Sequence, residues 1–347
     1  MIELDQINKF LPPKDWIEIN TVEVHAAGEP LRIIMNGFPR LNGKTILEKR
    51  AYALSNYDKF RTAMIWEPRG HTDMYGAIIV EAESSDSDFG VIFIHNDGYS
   101  TGCGHAVIAL TKAFLEMNLV AMIEPETEIK MDVPSGQIVS YGKIENNTVK
   151  DIRFQNVPSF VQLLDASIDV YGYGKIKYDL AFGGAFYAFV EVDQLRLDCT
   201  NEYCDALIEA GMKIKDAISN SIELQHPTED EMNFLYGTIF IGPPKGSNSH
   251  SRNVCIFADG EVDRSPTGTG ISARAAIHYE RNEIELGEKI IIESIIGTTF
   301  SVKVDRALRY GKYNAIIPEI NGEAYITGRN SFWLNPDDPL KDGFIIK

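Results

Sequence analysis

Gly98-Tyr-Ser-Thr-Gly-Cys103-Gly-His105 runs directly into Ala106-Val-Ile-Ala-Leu-Thr-Lys-Ala-Phe-Leu-Glu-Met-Asn118. The apolar run Phe89-Gly-Val-Ile-Phe-Ile-His95 precedes it and reads as a strand. Asn96-Asp97-Gly98 makes the turn, and the residues after Cys103 form a largely apolar helix. Cys103 therefore sits at a helix N-terminus. The unpaired backbone N–H groups and the positive end of the helix dipole point there and favour a thiolate. The flanking glycines, Gly102 and Gly104, let a small ligand come close to the backbone. The competing reading of Cys103 is a buried free cysteine that only fills space.

A second stretch has the same plan. Asp263-Arg-Ser-Pro-Thr267-Gly-Thr-Gly270 leads into Ile271-Ser-Ala-Arg-Ala-Ala-Ile-His-Tyr279. Each stretch has a glycine-rich turn, a small nucleophile-type residue, a glycine, a polar residue and then a helix. Cys103-Gly104-His105 and Thr267-Gly268-Thr269 read as two copies of one device. Two half-chains, each aiming a helix N-terminus, imply pseudo-twofold lobes with a site between them. Converging N–H groups there suit an anion such as a carboxylate.

The rest of the chain bounds this picture. At 347 residues it is long enough for two domains. The 44% apolar and 24% charged content is that of a soluble globular protein. A formal net charge of −17 argues against nucleic acid and anionic membranes as partners. A local pair of helix N-termini still accommodates an anionic substrate. No apolar run reaches transmembrane length, and Met1 to Lys9 lacks the parts of a signal peptide. The cysteines at 103, 199, 204 and 255 have no metal-type spacing, so free thiols and a cytoplasmic location are expected.

Residues 1–18 read as a polar leader or short helix. Strands are expected at 16–25 and 31–34. A helix is expected at 45–63, with Ile46, Leu47, Ala51, Leu54 and Phe60 on its buried face. His71 and Asp73, in the polar loop before the strand at 77–80, are read first as loop-fixing residues and second as ligands or acid/base groups. Short strands follow at 128–133, 137–141 and 149–154, and residues 161–178 read as the crossing to the second lobe. Beyond it are a strand pair at 178–190 and a helix at 198–224, then strands at 237–241, 253–257, 289–293, 299–304 and 322–328. The helices do not alternate with the strands, so a doubly wound parallel sheet is disfavoured. An α+β fold is expected, with a curved, mostly antiparallel sheet around one apolar helix in each lobe. The lobes are expected at 1–165 and 166–320, with a tail at 321–347 that returns to the first. No nucleotide-binding or metal motif is present.

Six stretches together resemble the proline racemase family, which has the diaminopimelate epimerase fold. They are His25-Ala-Ala-Gly-Glu-Pro30, Pro68-Arg-Gly-His-Thr-Asp-Met-Tyr-Gly76, Gly98 to His105, Ala181-Phe-Gly-Gly184, Asp263 to Gly270 and Ala324-Tyr-Ile-Thr-Gly328. They occur in the family's order and cover nearly the whole chain. In the family's racemases each glycine-rich turn carries a catalytic cysteine, one taking the α-proton and the other returning a proton to the opposite face. Here the second position is Thr267. A hydroxyl cannot be tuned to accept a proton near neutral pH as a thiol can, because a thiol starts near ~8.5 and falls further at a helix N-terminus. Two-base racemisation is therefore expected to be lost.

The Cys/Thr pair is similar to that of the family's trans-3-hydroxy-L-proline dehydratases. The resemblance implies that Cys103 takes the α-proton, that the 3-hydroxyl leaves, and that the product is Δ1-pyrroline-2-carboxylate, with no cofactor. Gly104, His105, Gly268 and Thr269 would hold the carboxylate through N–H groups. His105 and Asp263 would contact the ring amine, although Asp263 also reads as a capping group for the second helix. Tyr75 and Phe257 would line the pocket, or belong to plain core. Thr267 contacts the departing hydroxyl or merely fills space. Cys255 reads as core. The alternatives are a proline racemase or hydroxyproline 2-epimerase, and a non-catalytic binder of a proline-like amino acid. The retention of Cys103 speaks against the binder. The resemblance also implies a homodimer.

Overall fold

The structure, a computed structural model, describes residues 10–346. The part of the leader expectation that falls on residues 1–9 lies outside the described residues. Between Phe10 and Trp16 there is no helix. Pro12 and Pro13 interrupt that stretch, and it closes in a turn in which Trp16 N donates to Pro13 O at 3.0 Å.

The chain order is β1 (Ile17–Ala26), β2 (Glu29–Asn36), α1 (Ile46–Ile65), β3 (Tyr75–Val80), β4 (Phe89–His95), β5 (Tyr99–Ser100), α2 (Gly104–Glu116), β6 (Glu126–Val133), β7 (Gly136–Glu145), β8 (Thr148–Gln155) and β9 (Ser159–Val170). It continues with β10 (Gly174–Phe182), β11 (Phe186–Glu191), α3 (Cys204–Ser219), β12 (Leu235–Gly242), β13 (Ser251–Phe257), β14 (Glu261–Val262) and α4 (Gly268–Glu280). The last strands are β15 (Lys289–Glu293), β16 (Thr299–Tyr310), β17 (Tyr313–Gly322) and β18 (Ala324–Leu334).

All of these strands join one hydrogen-bonded network. The pairing from β1 to β8 recurs from β10 to β17. Each run opens with an antiparallel pair, β1–β2 and then β10–β11, and a parallel pair comes next, β2–β3 and β11–β12. An antiparallel pair follows, β3–β4 and β12–β13. The chain next turns back through a two-residue strand, β5 or β14, and enters a helix. After the helix it pairs parallel again, β4–β6 and β13–β15, and ends in an antiparallel meander. The strand closing each run pairs with the strand opening the other, β9 with β10 and β18 with β1. Strands β8 and β17 join the two runs directly.

This sheet wraps two helices. Helix α2 packs on β1, β2, β7, β8 and β18, and α4 packs on β9, β10, β11, β16 and β17. Helix α2 is buried from Gly104 to Thr111 and from Ala113 to Leu115, and α4 from Gly268 to Ile277. Such helices must be apolar on all sides, which is why neither shows a single hydrophobic stripe. The fold is thus α+β and barrel-like, with four α-helices among the described residues.

Several expectations need correction. Residues 161–178, read as the crossing to the second lobe, are strands that the sequence reading did not expect, because β9 and β10 occupy most of them as an antiparallel hairpin. The helix expected over 198–224 is regular only from Cys204 to Ser219. Strand β17, which nothing in the sequence reading anticipated, is the seam between the two runs. In α1, Leu54 is 53% exposed and Ala51 is also exposed, while Lys49 and Ala53 are buried. Tyr57 leaves helical geometry at φ −134°, ψ 18°, so the helix is rephased and one stripe does not run its whole length. Its start follows the rule: Thr45 Oγ1 accepts from Glu48 N at 3.1 Å, and the Glu48 carboxylate accepts from Thr45 N at 3.3 Å. No helix among the described residues is long and apolar enough to cross a membrane.

Candidate active site

Helices α2 and α4 meet end to end at their N-termini. A Cβ built on Gly104 would lie 2.5 Å from Gly268 Cα, and one on Gly268 would lie 2.6 Å from Gly104 Cα. Only glycine permits this approach. Cys103 is the N-cap of α2 and Thr267 the N-cap of α4, and neither side chain makes a capping hydrogen bond of ordinary geometry. The first intrahelical bonds are Val107 N to Cys103 O and Ile271 N to Thr267 O. The N–H groups of Gly104, His105, Gly268 and Thr269 therefore lie ahead of the regular ladders, at the two positive helix ends.

Around this junction is a narrow cavity of about 20 Å³. All nine residues singled out in the sequence line it: Cys103, Gly104, His105, Tyr75, Phe257, Asp263, Thr267, Gly268 and Thr269. His71 and Asp73 do not. His71 is exposed, with Nδ1 2.6 Å from Thr72 O, and Asp73 pairs with Arg264 at 3.5 Å.

Four lining residues escaped the sequence reading: Glu29, Tyr187, Tyr236 and Cys255. Glu29 belongs to the His25–Pro30 stretch but was given no role. Tyr187 and Tyr236 are hidden in apolar strands. Cys255 lies on β13, as its pattern says, yet it faces the cavity as well as the core. Tyr187 Oη is 2.7 Å from Thr269 Oγ1 and so fixes the threonine at the tip of α4. Tyr236 stacks on Phe257 with ring centroids 5.3 Å apart and brings its hydroxyl 3.5 Å from that of Tyr75. The Tyr75 ring also meets His105 edge-on at 4.9 Å. The result is an aromatic wall that keeps water from the polar groups beside it.

The charges in this cavity are strongly perturbed. Burial pushes the Cys103 thiol well up, and Asp263 and Glu29 push it further. The Ala106 N–H at the end of α2 pulls in the opposite direction. The helix N-terminus thus acts as expected, but burial and two nearby carboxyl groups outweigh it. Cys103 Sγ lies 3.2 Å from His105 Nδ1. Burial lowers the His105 imidazole to about 3, against the pull of the Pro30 carbonyl, so the ring is neutral. With its ring proton directed to that carbonyl, its other nitrogen is free to accept from the thiol.

Burial also raises the Asp263 carboxyl, although the Ser265 side chain and backbone and the Thr267 hydroxyl favour its charged form. Asp263 Oδ1 accepts from Ser265 N at 2.7 Å, a local turn ahead of α4; the cap position of that helix is Thr267, so Asp263 is not its capping group. Glu29 is raised well above the usual carboxylate range by burial and by Asp263, with Arg264 opposing. Thr267 adopts φ 66°, ψ 91°, a costly conformation for a β-branched residue. Its buried Oγ1 faces Asp263 and Cys255 without a well-formed hydrogen bond. Strain and an unsatisfied hydroxyl at one position are typical of functional sites.

The sequence profile described as Proline racemase matches residues 21–345. This chain belongs to the proline racemase family. Within the family, it is 48% identical to the trans-3-hydroxy-L-proline dehydratase of Colwellia psychrerythraea, covering 100% of this chain and 98% of that protein. It is 41% identical to the 3-hydroxyproline 2-epimerase of Burkholderia multivorans, covering 95% of this chain and 98% of that one. The crystal structure of a hydroxyproline epimerase from Agrobacterium vitis, with bound trans-4-hydroxy-L-proline, superposes with a TM-score of 0.90 at 29% identity. That match covers 96% of each chain and establishes the proline racemase fold.

Proposed function

We propose that this chain dehydrates trans-3-hydroxy-L-proline to Δ1-pyrroline-2-carboxylate. The observation that carries the reading is that the two opposed helix tips offer one thiol, Cys103, and one hydroxyl, Thr267. The name of the Colwellia psychrerythraea relative supports it. The lobes carrying these residues are read as 1–165 and 166–320, with the tail from 321 returning to the first. The pairing of β18 with β1 supports that division.

The substrate carboxylate lies at the junction of the two helix ends, against the N–H groups of Gly104, His105, Gly268 and Thr269. Its ring ammonium faces Asp263 and neutral His105. An ammonium there offsets the carboxyl charges that raise the Cys103 thiol, and so favours thiolate formation in the complex. The thiolate removes the α-proton, and the charge spreading onto the carboxylate strengthens its contacts with the helix ends. The 3-hydroxyl departs, and the enamine tautomerises to the imine. Loss of water and tautomerisation are redox-neutral, so the reading needs no redox cofactor. Free thiols at all four cysteines accord with a cytoplasmic location.

The test is to incubate the purified, reduced protein separately with trans-3-hydroxy-L-proline, trans-4-hydroxy-L-proline and L-proline. Pyrroline product is read with o-aminobenzaldehyde and optical rotation is followed in parallel. Product from the 3-hydroxy compound alone is expected, and Cys103→Ser is expected to abolish it. Retention of activity in that variant would remove Cys103 as the base.

A 2-epimerase reading is favoured by one observation: Cys255 brings a second thiol into the cavity beside Thr267. Burial and Asp263 raise that thiol as they raise Cys103, but Cys255 lies within strand β13 and lacks the helix N-terminus that favours a thiolate at Cys103. Inversion of trans-4-hydroxy-L-proline without pyrroline product would establish this activity instead.

A further inference from the structure

We propose that Glu29 is the general acid that protonates the departing 3-hydroxyl, and that Thr267 does not contact it. The inference rests on the dehydratase reading above. It starts from the configuration of the substrate. In a trans-3-hydroxy-L-proline the hydroxyl is trans to the carboxylate. It is therefore on the same ring face as the α-hydrogen. A base that takes that hydrogen faces the leaving group, and the elimination is syn. With Cys103 as the base, the acid belongs on the Cys103 face of the ring, and Thr267 is on the other.

Glu29 enters the cavity from the half of the chain that carries Cys103. It is the first residue of β2, a strand that packs on the helix capped by Cys103. It is 1% exposed and lines the same cavity. Its carboxyl is anchored by one oxygen, with Oε2 accepting from Arg264 N at 2.7 Å. The hairpin that presents it is held across the lobes, because Thr298 Oγ1 donates to Ala27 O at 2.6 Å. Burial and the neighbouring Asp263 favour the protonated carboxyl, which is what an acid needs before the reaction. The other candidates are less suited. His105 is neutral, and its one ring proton is directed to the Pro30 carbonyl. Asp263 has Oδ1 engaged with Ser265 N, and its bonds with Ser265 and Thr267 favour the charged form.

The step balances. The α C–H bond breaks and its proton bonds to Cys103 sulfur. The electron pair is held first as a carbanion spread onto the carboxylate, which can be reprotonated at Cα, and it then forms the C2=C3 double bond as the C3–O bond breaks. The Glu29 proton goes to the leaving oxygen, so water departs and Glu29 remains as carboxylate. The enamine gains a proton at C3 and loses one from nitrogen, and the two side chains re-equilibrate through solvent.

The test uses Glu29→Gln, which keeps an acceptor for the Arg264 N–H but has no acidic proton. Two rates are compared in D2O: pyrroline formation from trans-3-hydroxy-L-proline, and deuterium incorporation at Cα of recovered substrate. Loss of a general acid is expected to lower elimination by ~10²- to 10⁴-fold while Cα exchange persists. trans-3-Chloro-L-proline, whose leaving group needs no proton, is expected to be turned over by the variant at close to the wild-type rate. Equal loss of exchange and elimination, or of both substrates, would overturn the proposal and leave Glu29 as an anchor for Arg264. Unchanged elimination would overturn it too. Glu29→Asp retains the acid on a shorter stem and is expected to recover part of the rate, and circular dichroism confirms that each variant is folded. A wild-type protein that turns over neither the hydroxy nor the chloro substrate would fail the dehydratase reading itself, a result distinct from any effect of Glu29.

Discussion

Gly104 and Gly268 touch backbone to backbone across the molecule, with less than a methyl group's room between them. They begin the two central helices, so their contact sets the separation of Cys103 and Thr267. The two halves of the chain are registered at the point where the proposed chemistry occurs.

A methyl group at either glycine must push the helix tips apart. Gly104→Ala and Gly268→Ala are each expected to cost about 1–3 kcal/mol of stability, as overpacking does. The widened junction also spoils the carboxylate site. Thermal unfolding and pyrroline formation measured on the same samples check both effects. A fully active, equally stable Gly104→Ala variant would show that the tips are not in contact.

Tyr187 holds Thr269 through a 2.7 Å hydrogen bond at the tip of α4. Tyr187→Phe removes the hydroxyl and little else. A loss of about 1 kcal/mol in stability is expected. An increase in KM larger than any fall in kcat is also expected, because Tyr187 positions the threonine proposed to bind the carboxylate and is given no part in the proposed bond breaking. Steady-state kinetics separate the two parameters.

Replacing Thr267 with cysteine puts a thiol opposite Cys103. The change also removes a β-branched side chain from a position at φ 66°. Thr267→Cys is expected to dehydrate more slowly and to gain exchange with inversion at Cα. NMR in D2O with chiral chromatography of the recovered amino acid reads both. Exchange without inversion would mean that the second thiol is present but cannot reach the far face.

Far from the cavity, Arg252 and Glu293 form a buried pair at 2.8 Å, with sides 5% and 3% exposed. Burial alone would raise the Glu293 carboxyl. The Lys245 and Gly246 N–H groups and the Arg252 guanidinium outweigh it and hold Glu293 at about 2. A carboxyl lower in the folded than in the unfolded chain stabilises above its unfolded value. That contribution is present at neutral pH, begins to fade near the ordinary value of 4.5 and is lost as pH falls toward 2. Glu293→Gln is expected to flatten the pH dependence of stability in this window. It should also cost several kcal/mol at pH 7, because a buried guanidinium loses its partner, and broken buried pairs cost about 3–5 kcal/mol. Urea melts of both proteins between pH 2.5 and 7 check the slope.

Local signals carried far in this chain. The turns before Cys103 and Thr267 could be read because a glycine-rich turn followed by an apolar run is recognised within a dozen residues. The helix expected at 45–63 is present as α1, and its start is closed by a capping box between Thr45 and Glu48. Strand β1 alternated as a half-buried strand should. Signals that depend on distance did not carry. The exposure of Leu54 follows from a kink at Tyr57 that no stripe of residues encodes. The strands within 161–178 went unread because a strand with much of its length half-exposed lacks a strong apolar pattern.

The chain's residue order alone fixed which two turns enter an apolar helix, and which bears sulfur and which oxygen, because these are properties of short contiguous segments. The folded structure settled what surrounds them. Glu29 gains an anchor 235 positions away in Arg264, and Tyr187 reaches Thr269 across 82. It also made the Cys103 thiol harder to ionise than its helix position implies, since burial and nearby carboxyls are set by packing. Helix ends are local, whereas desolvation and charge pairing depend on which distant segments the fold brings together.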